Sequence, residues 1–478
     1  MIKAIAVDMD GTFLDTNKQF DRNRFETIFK ELIDKNIKFI AASGNQFAKL
    51  KSIFGDREMF FISENGAVIY KGNQLYNYRS FDQYIFQKVV NYLNLNQKIN
   101  NLIICGVKSA YIHIPFCYRI CTYCDFNKYF IDKQPVDEYL DALISEMQVK
   151  NNRDLETMYV GGGTPTALNM RQLEKLLRAI NQTFTISGEF SFEANPDELT
   201  YEKVALLKQY GVNRISMGVQ TFKPELLKIL GRTHKTEDIY DAVSHARKAG
   251  IESISLDLMY HLPQQTIDDF KDSLERAIAL DIDHISSYGL ILEPKTQFYN
   301  LYRKGHLKLP NEDLGAEMYR FLMERMKNSP FHQYEISNFG KLNHESNHNK
   351  VYWLNEEYYG FGAGASGYVN GVRYTNLNPV NHYIKAINEG KKPILSETSP
   401  TYNERMEEEM FLGLRMNQGV SKSRFKKKFN KLIDEVFGET IKDLRCRGLI
   451  KEEGEFISLT ERGKVIGNEV FEAFLLNS

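Results

Sequence analysis

The sequence predicts an α/β protein built around a partial TIM-like (β/α)6 barrel, with an incomplete α/β segment before it and a helical or winged-helix-like domain after it. Three observations carry this. From Ser109 six short apolar runs, SAYIHI, ETMYVG, EFSFEA, RISMGV, SISLDLMY and HISSYGLIL, alternate with amphipathic stretches at near-regular spacing, a pattern that needs parallel strands joined by right-handed crossovers. Before residue 108 a strand, acidic loop and helix series starts and stops, and beyond about 295 short elements rich in Tyr, Asn and Gly take over. The expected organisation is 1–107, then the barrel over 108–295, an extension of it over 296–402 and a closing domain over 403–478.

In the first segment IKAIAV, KFIAAS and MFFISE read as strands, 21–35 and 82–95 as helices, and Lys71-Gly72-Asn73 as a hairpin turn. In the barrel, Leu140, Leu143, Ile144 and Met147 make one apolar stripe on a helix over 137–149. In the tail, SKSRFKKKFNK carries six basic residues, with Phe425, Phe429, Leu432, Ile433 and Val436 as a core-facing stripe, so a solvated helix face is expected rather than a nucleic-acid site.

Composition narrows the function classes. The 61 basic and 62 acidic residues nearly cancel, leaving no global field to recruit nucleic acid or an anionic membrane. No run approaches the roughly 20 apolar residues of a membrane span, and the acidic residues in MIKAIAVDMDGT spoil a signal peptide, so a cytoplasmic chain is expected. Five cysteines are too few for a disulfide framework, and three fall within 117–124, a sign of metal in a reducing compartment. Cys105 and Cys446 are expected to be buried free thiols.

The loop CYRICTYCDF places Cys117, Cys121 and Cys124 at C-x3-C-x2-C spacing just after a strand, at the end of a barrel where active sites form. Cubane iron-sulfur clusters usually take four thiolates, so three leave one iron open. Zinc is the alternative, but it wants a fourth nearby ligand, and His113 lies back on the strand. The loop resembles that of the radical S-adenosylmethionine superfamily, whose cofactor completes the fourth iron. Tyr123 matches the aromatic that this family packs near the adenine.

Further stretches fall in the order of that superfamily's coproporphyrinogen-oxidase-like branch. Tyr111 stands before the loop; GGGTP brings Gly162, Gly163 and Thr164, where glycine lets backbone amides approach a charged ligand. Glu193 in FEANP, Gln220 in SMGVQTF, Arg232 in LGRTH and Asp257 in DLMYHLP resemble the nucleoside-binding set, with acidic groups suited to ribose hydroxyls and a sulfonium. His261 replaces an expected glycine and questions the geometry of the turn after Asp257. Gly362, Gly364 and Gly367 satisfy G-x-G-x-x-G, but no crossover helix opens there, so a structural loop is expected.

Two members of the branch compete. The oxidases call for a fourth cysteine where this chain has Phe126, whereas HNKVYW, from His348 to Trp353, resembles the H-N-x-x-Y-W motif of HemW-type haem chaperones. Imidazole is a normal axial ligand of haem iron, with His344 as a second candidate, while Ser366 stands where many relatives carry histidine. The chaperone resemblance implies a 4Fe-4S cluster, S-adenosylmethionine and haem as cofactors. It implies haem and a haem-acceptor protein as partners and leaves room for a homodimer; the balanced charge argues against a nucleic-acid partner. Oxygen-independent coproporphyrinogen oxidation is the alternative.

At the other end DMDGT resembles the first motif of haloacid-dehalogenase-like hydrolases, with Asp8 as nucleophile and Asp10 as acid/base, Ser43 fits the second, and SENGAVI fits the Cof-type subgroup. The later lysine and the G-D-x-x-x-D motif do not follow in order, and GDRE at 55–58 comes too early. A generic aryl phosphate with magnesium is therefore expected to stay intact; turnover that disappears in Asp8→Asn would overturn the truncation.

Overall fold

The computed structural model describes residues 107–149 and 153–476, and before them 4–9, 13–14, 20–35, 37–42, 53–54, 57, 59–63, 68–71 and 74–75. The chain divides into two compact units, Met1–Val107 with Lys150–Asn152, and Lys108–Val149 with Arg153–Ser478. In the first, β1 (Ala4–Asp8), β2 (Lys38–Ala42) and β3 (Phe60–Ser63) are parallel, and β4 (Val68–Lys71) with β5 (Gln74–Leu75) adds an antiparallel hairpin. A helix over Arg22–Asp34, capped by the Asp21 carboxylate, buries Phe25, Phe29 and Leu32 against Phe39, Phe54 and Phe61. Asp10, Ser43, Cys105 and the helix expected over 82–95 lie outside the described residues.

The second unit contains the six expected parallel strands: β6 (Ser109–Ile114), then, beyond the short pair β7 (Phe116–Cys117) and β8 (Tyr129–Phe130), β9 (Asp154–Gly162), β10 (Thr185–Ala194), β11 (Arg214–Gln220), β12 (Ser253–Tyr260) and β13 (His284–Gly289). Helices Val136–Gln148, Met170–Thr183, Tyr201–Gln209, Thr236–Lys248 and Ile267–Ala279 are the crossovers. Their apolar stripes, such as Leu173, Leu176, Leu177 and Ile180, are buried.

The sheet is wider than six strands. β15 (Asn338–Gly340) adds antiparallel to β13 and β14 (His332–Gln333) antiparallel to β15, while β16 (Tyr359–Phe361) pairs parallel with β6. The extension thus covers both edges of the barrel sheet, where unpaired backbone would otherwise face solvent. Next come an antiparallel sheet of β17 (Ser366–Val369), β18 (Val372–Asn376) and β19 (Ile394–Thr398), and then the closing domain. Its helices pack on a small sheet of β20 (Val420–Ser421), β21 (Ile450–Glu453) and β22 (Phe456–Leu459), around Met410, Phe425, Phe437, Leu444 and Phe474.

Strand alternation decides which residues reach the site. On β12 Ile254, Leu256 and Leu258 are buried apolar, whereas Ser255 bonds His284 at 2.8 Å and Asp257 accepts from Ser216 at 3.1 Å. The inner face of this barrel is polar, unlike the branched aliphatic layers that usually fill one.

Three details differ from expectation. Cys446 ends the helix Ile433–Cys446 exposed rather than buried, because it falls off the Ile433, Phe437, Ile441, Leu444 face. Leu432 is likewise exposed, although Phe425, Phe429 and Ile433 are core. His261 keeps the turn a glycine would make: it adopts φ 61°, and its Nε2 donates to the carbonyls of Pro310 (3.0 Å) and Asn311 (3.1 Å).

The glycine-rich loop is structural, as expected. Gly362 adopts φ +99°, and a Cβ there would lie 2.5 Å from the Tyr139 hydroxyl. The Gly362 amide donates to Glu146, a buried carboxylate that also accepts from Asn376 Nδ2 (2.8 Å) and the Tyr383 hydroxyl (2.6 Å). Glu146→Ala leaves three buried donors unmet and should destabilise the fold by roughly 3 kcal/mol or more, read from the urea midpoint at constant slope. A change below about 1 kcal/mol would refute this role for Glu146.

Candidate functional site

The cysteine loop follows β6 and is fastened from several sides. Cys117 is buried on β7, where Thr164 Oγ1 donates to its sulfur at 3.5 Å, and burial pushes its thiol up to about 12. Cys121 receives Arg232 Nη1 at 3.6 Å, and burial also raises the Cys124 thiol, opposed by the charge of Lys128. Ligation requires thiolates, so a cationic iron centre must supply what the protein around Cys117 withholds. Among the described residues no three His, Cys, Asp or Glu side chains converge on one ion position. A cubane asks for less convergence, since each thiolate takes a different iron.

Behind the loop His113 donates from Nε2 to the Asn127 carbonyl at 2.8 Å, and its Nδ1 accepts from the Tyr111 hydroxyl at 2.9 Å. Both ring nitrogens are engaged and burial lowers its pKa, so His113 supports the loop rather than supplying a fourth metal ligand. Asn127 Nδ2 in turn donates to the carbonyls of Ala363 (2.9 Å) and Asn378 (3.1 Å), tying the cysteine loop to the glycine-rich loop.

The glycines of GGGTP work by clearance rather than by offering amides. The amides of Gly162, Gly163 and Thr164 donate to Glu193 Oε2 (2.9 Å), the Ile114 carbonyl (2.9 Å) and the Phe116 carbonyl (2.8 Å), which corrects the expectation that they face a ligand. A Cβ on Gly161 would stand 2.7 Å from the Glu193 carboxyl, one on Gly162 2.5 Å from the His113 ring, and one on Gly163 3.0 Å from Cys117 Sγ. A carboxylate, an imidazole and a thiol take the space that side chains at these positions would fill.

The other expected residues gather at the strand ends. Glu193 on β10 accepts from the Tyr159 hydroxyl at 2.8 Å and is raised to about 7, chiefly by burial. Asp257 on β12 is raised to about 6 by burial against its bonds to Ser286 and Ser216. Arg232 donates to Asn195 Oδ1 at 2.8 Å and to the Gly218 carbonyl, and Asn195 reaches Thr164 at 3.2 Å. Tyr123 packs on an apolar cluster containing Leu226, Leu230, Met259 and Phe298.

Gln220 is the most informative. It ends β11 at φ 67°, rare outside glycine, and its Oε1 is buried with no hydrogen-bond partner. Strain and an orphaned acceptor at one residue mark a group held for something else. Together with two buried acids whose pKa values burial raises, this leaves the site with acceptor capacity to spare, which fits a cationic, polar cofactor.

His348 lies elsewhere. It sits on the helix Asn347–Trp353, which packs against β9 and β10, and has no exposed surface. Thr157 Oγ1 donates to Ser109 (2.9 Å) and so accepts from His348 Nδ1 (2.8 Å), while Nε2 accepts from the Tyr352 hydroxyl (2.9 Å). Burial lowers its pKa to about 4. In this arrangement the ring is neutral and enclosed, with both nitrogens engaged. His344 is half-buried, its carbonyl accepting from Arg214 at 3.0 Å.

Sequence reading missed Tyr159 and Asn195. Tyr159 bonds Glu193 and stacks between Tyr111 (6.1 Å) and His348 (5.2 Å). Its signal was parity, two residues before Gly161 on the same strand face. Asn195 stands two residues beyond Glu193 in FEANP.

Residues 111–277 match the Radical SAM superfamily and 401–466 the HemN C-terminal domain. The chain is 52% identical over 376 residues to the heme chaperone HemW of Bacillus subtilis (strain 168), covering 77% of this chain and 99% of that protein. It is 46% identical over 371 residues to the HemW of Lactococcus lactis subsp. lactis (strain IL1403), covering 77% and 97%. Coproporphyrinogen III oxidase (HemN) from Escherichia coli superposes with TM-score 0.68 at 24% identity, over 77% of this chain and 89% of that one, a likeness of fold.

Glu193 gives a pH test. Its folded pKa of about 7 lies above the ordinary 4.5, so its contribution to stability is present below pH 4.5 and lost as pH rises through 7. Relative to Glu193→Gln, the ligand-free chain should lose roughly 3 kcal/mol across that window by urea midpoint. A pH-independent difference would show the carboxylate to be solvated.

Proposed function

This chain belongs to the HemW family of haem chaperones, and on that premise we propose that it captures haem and passes it to an acceptor protein, with a 4Fe-4S cluster and S-adenosylmethionine as resident cofactors. The observation that carries the cofactor assignment is the orphaned Gln220 acceptor beside Glu193 and Asp257, in one site with the three-cysteine loop.

In this reading Cys117, Cys121 and Cys124 hold three irons and the cofactor closes the fourth. When bound, the pair would supply a one-electron donor together with a reducible sulfonium. The protein's part is binding and orientation: Gln220 offers its free carbonyl oxygen, Glu193 and Asp257 face the ribose and the positive charge, and Tyr123 takes the adenine. Approach of a cation favours the carboxylates and lowers their pKa values, so burial that is costly in the free chain becomes a source of affinity. Arg232 steadies Cys121, Thr164 steadies Cys117, and Tyr111 acts at one remove through His113 and Asn127.

Haem belongs to the segment around His344 and His348. The chain works in the cytoplasm, where thiols stay reduced; no helix of the described residues is long and apolar enough to cross a membrane. The acceptor is a protein, and two copies of the chain can associate. Oxidation of coproporphyrinogen is the weaker reading, because Phe126, 63% exposed, occupies the extra cysteine position.

After anaerobic reconstitution, replacing Cys117, Cys121 and Cys124 together by Ala should abolish iron content and charge-transfer absorbance; stoichiometric iron in that variant would refute the cluster assignment. Haem should bind stoichiometrically, and coproporphyrinogen should survive incubation with cofactor and reductant. Turnover without haem binding would establish the oxidase instead.

A further inference from the structure

The helix Asn347–Trp353 is pinned at both ends by groups outside it, and we infer that two of them, Arg424 and Lys428, are positioning residues that set how readily the chain takes up haem. The inference rests on the reading of His348 as a haem-iron ligand. At the amino end the Glu189 carboxylate, from β10, accepts from the Asn347 amide (2.7 Å) and from Ser346 Oγ (3.0 Å). At the other end Arg424 donates to the Leu354 carbonyl and Lys428 Nζ to the Asn355 carbonyl (3.2 Å). Carbonyls at a helix C-terminus lack intrahelical partners and carry the negative end of its dipole, so two cations are well placed there.

Those cations belong to the closing domain and are held from behind by one buried carboxylate. Glu409, on the helix Tyr402–Gly413, lies 2.6 Å from Lys428 Nζ and 3.4 Å from Arg424 Nε, and its side chain is 6% exposed. The basic run that read as a solvated face therefore spends two of its charges on the motif helix. Arg415 adds a third contact, its guanidinium 4.3 Å from the Trp353 ring centre.

His348 explains why such a clasp matters. A haem iron needs a ring nitrogen with a free lone pair and room for a macrocycle beside it, and His348 has neither. Ligation requires the helix to leave β9 and β10, breaking the bond to Thr157, and the Tyr352 hydroxyl on the same helix to turn away from Nε2. Trp353 Nε1 is buried there without a hydrogen-bond partner. That donor costs free energy while the helix is docked, so the closed arrangement is partly offset by its own defect and the clasp weighs in the balance.

Apparent affinity scales with the fraction of chains in the competent state, so removing both charge-assisted bonds should accelerate haem association about tenfold or more. The test is Arg424→Gln with Lys428→Gln in the full chain, followed by haem absorbance in stopped flow and by amide hydrogen exchange. Expected are faster association, faster exchange over 347–355 with β9 to β12 still protected, and loss of the gain when His348→Ala is added. Arg424→Lys with Lys428→Arg keeps the charges and should behave as the parent. Arg424→Gln alone, at a side chain 32% exposed, should show a smaller change of the same sign if the double variant folds poorly. Unchanged association and exchange, with His348→Ala still weakening haem in the parent, would overturn the clasp and leave the ligand standing. Haem binding indifferent to His348→Ala in both backgrounds would remove the ligand, and the clasp with it.

Discussion

The polar inner face of the barrel must be satisfied without water, and much of the second unit is arranged to meet that demand. Thr157, Glu189, Arg214 and His284 project from the first halves of their strands, and each finds its partner on the segment that runs from Tyr334 to Trp353. An unpaired buried carboxylate such as Glu189 would cost several kcal/mol or shift to its neutral form. The motif helix is thus part of the barrel's interior as well as a candidate haem element.

Further along the same strands the demand is left partly unmet. Glu193, Asp257 and Gln220 lie at or near the carboxyl ends, two acids whose pKa values burial raises and one acceptor unpaired. One strand alternation therefore produces two zones: a lower zone closed by the protein's own chain and an upper zone that needs a ligand. Tyr159 touches both, through its hydroxyl to Glu193 and its ring to His348.

The sequence by itself determined the strand order, the cysteine loop, the acids at the strand ends and the break of the oxidase pattern at Phe126. These are local: each depends on parity along a strand or spacing within a loop, which a linear chain displays directly. Tertiary structure alone decided which face of GGGTP does the work, because whether an amide meets a ligand or the Ile114 carbonyl depends on a strand 49 residues away, as the partners Gly163 and Ile114 show. It also decided that His348 is enclosed and that Arg424 and Lys428 face the motif helix rather than solvent. Hydrogen bonds between residues 70 or more positions apart leave no trace in local pattern. A basic run and a solitary histidine look the same in sequence whether they are exposed or locked together, since burial is a property of the packed fold and not of the residue.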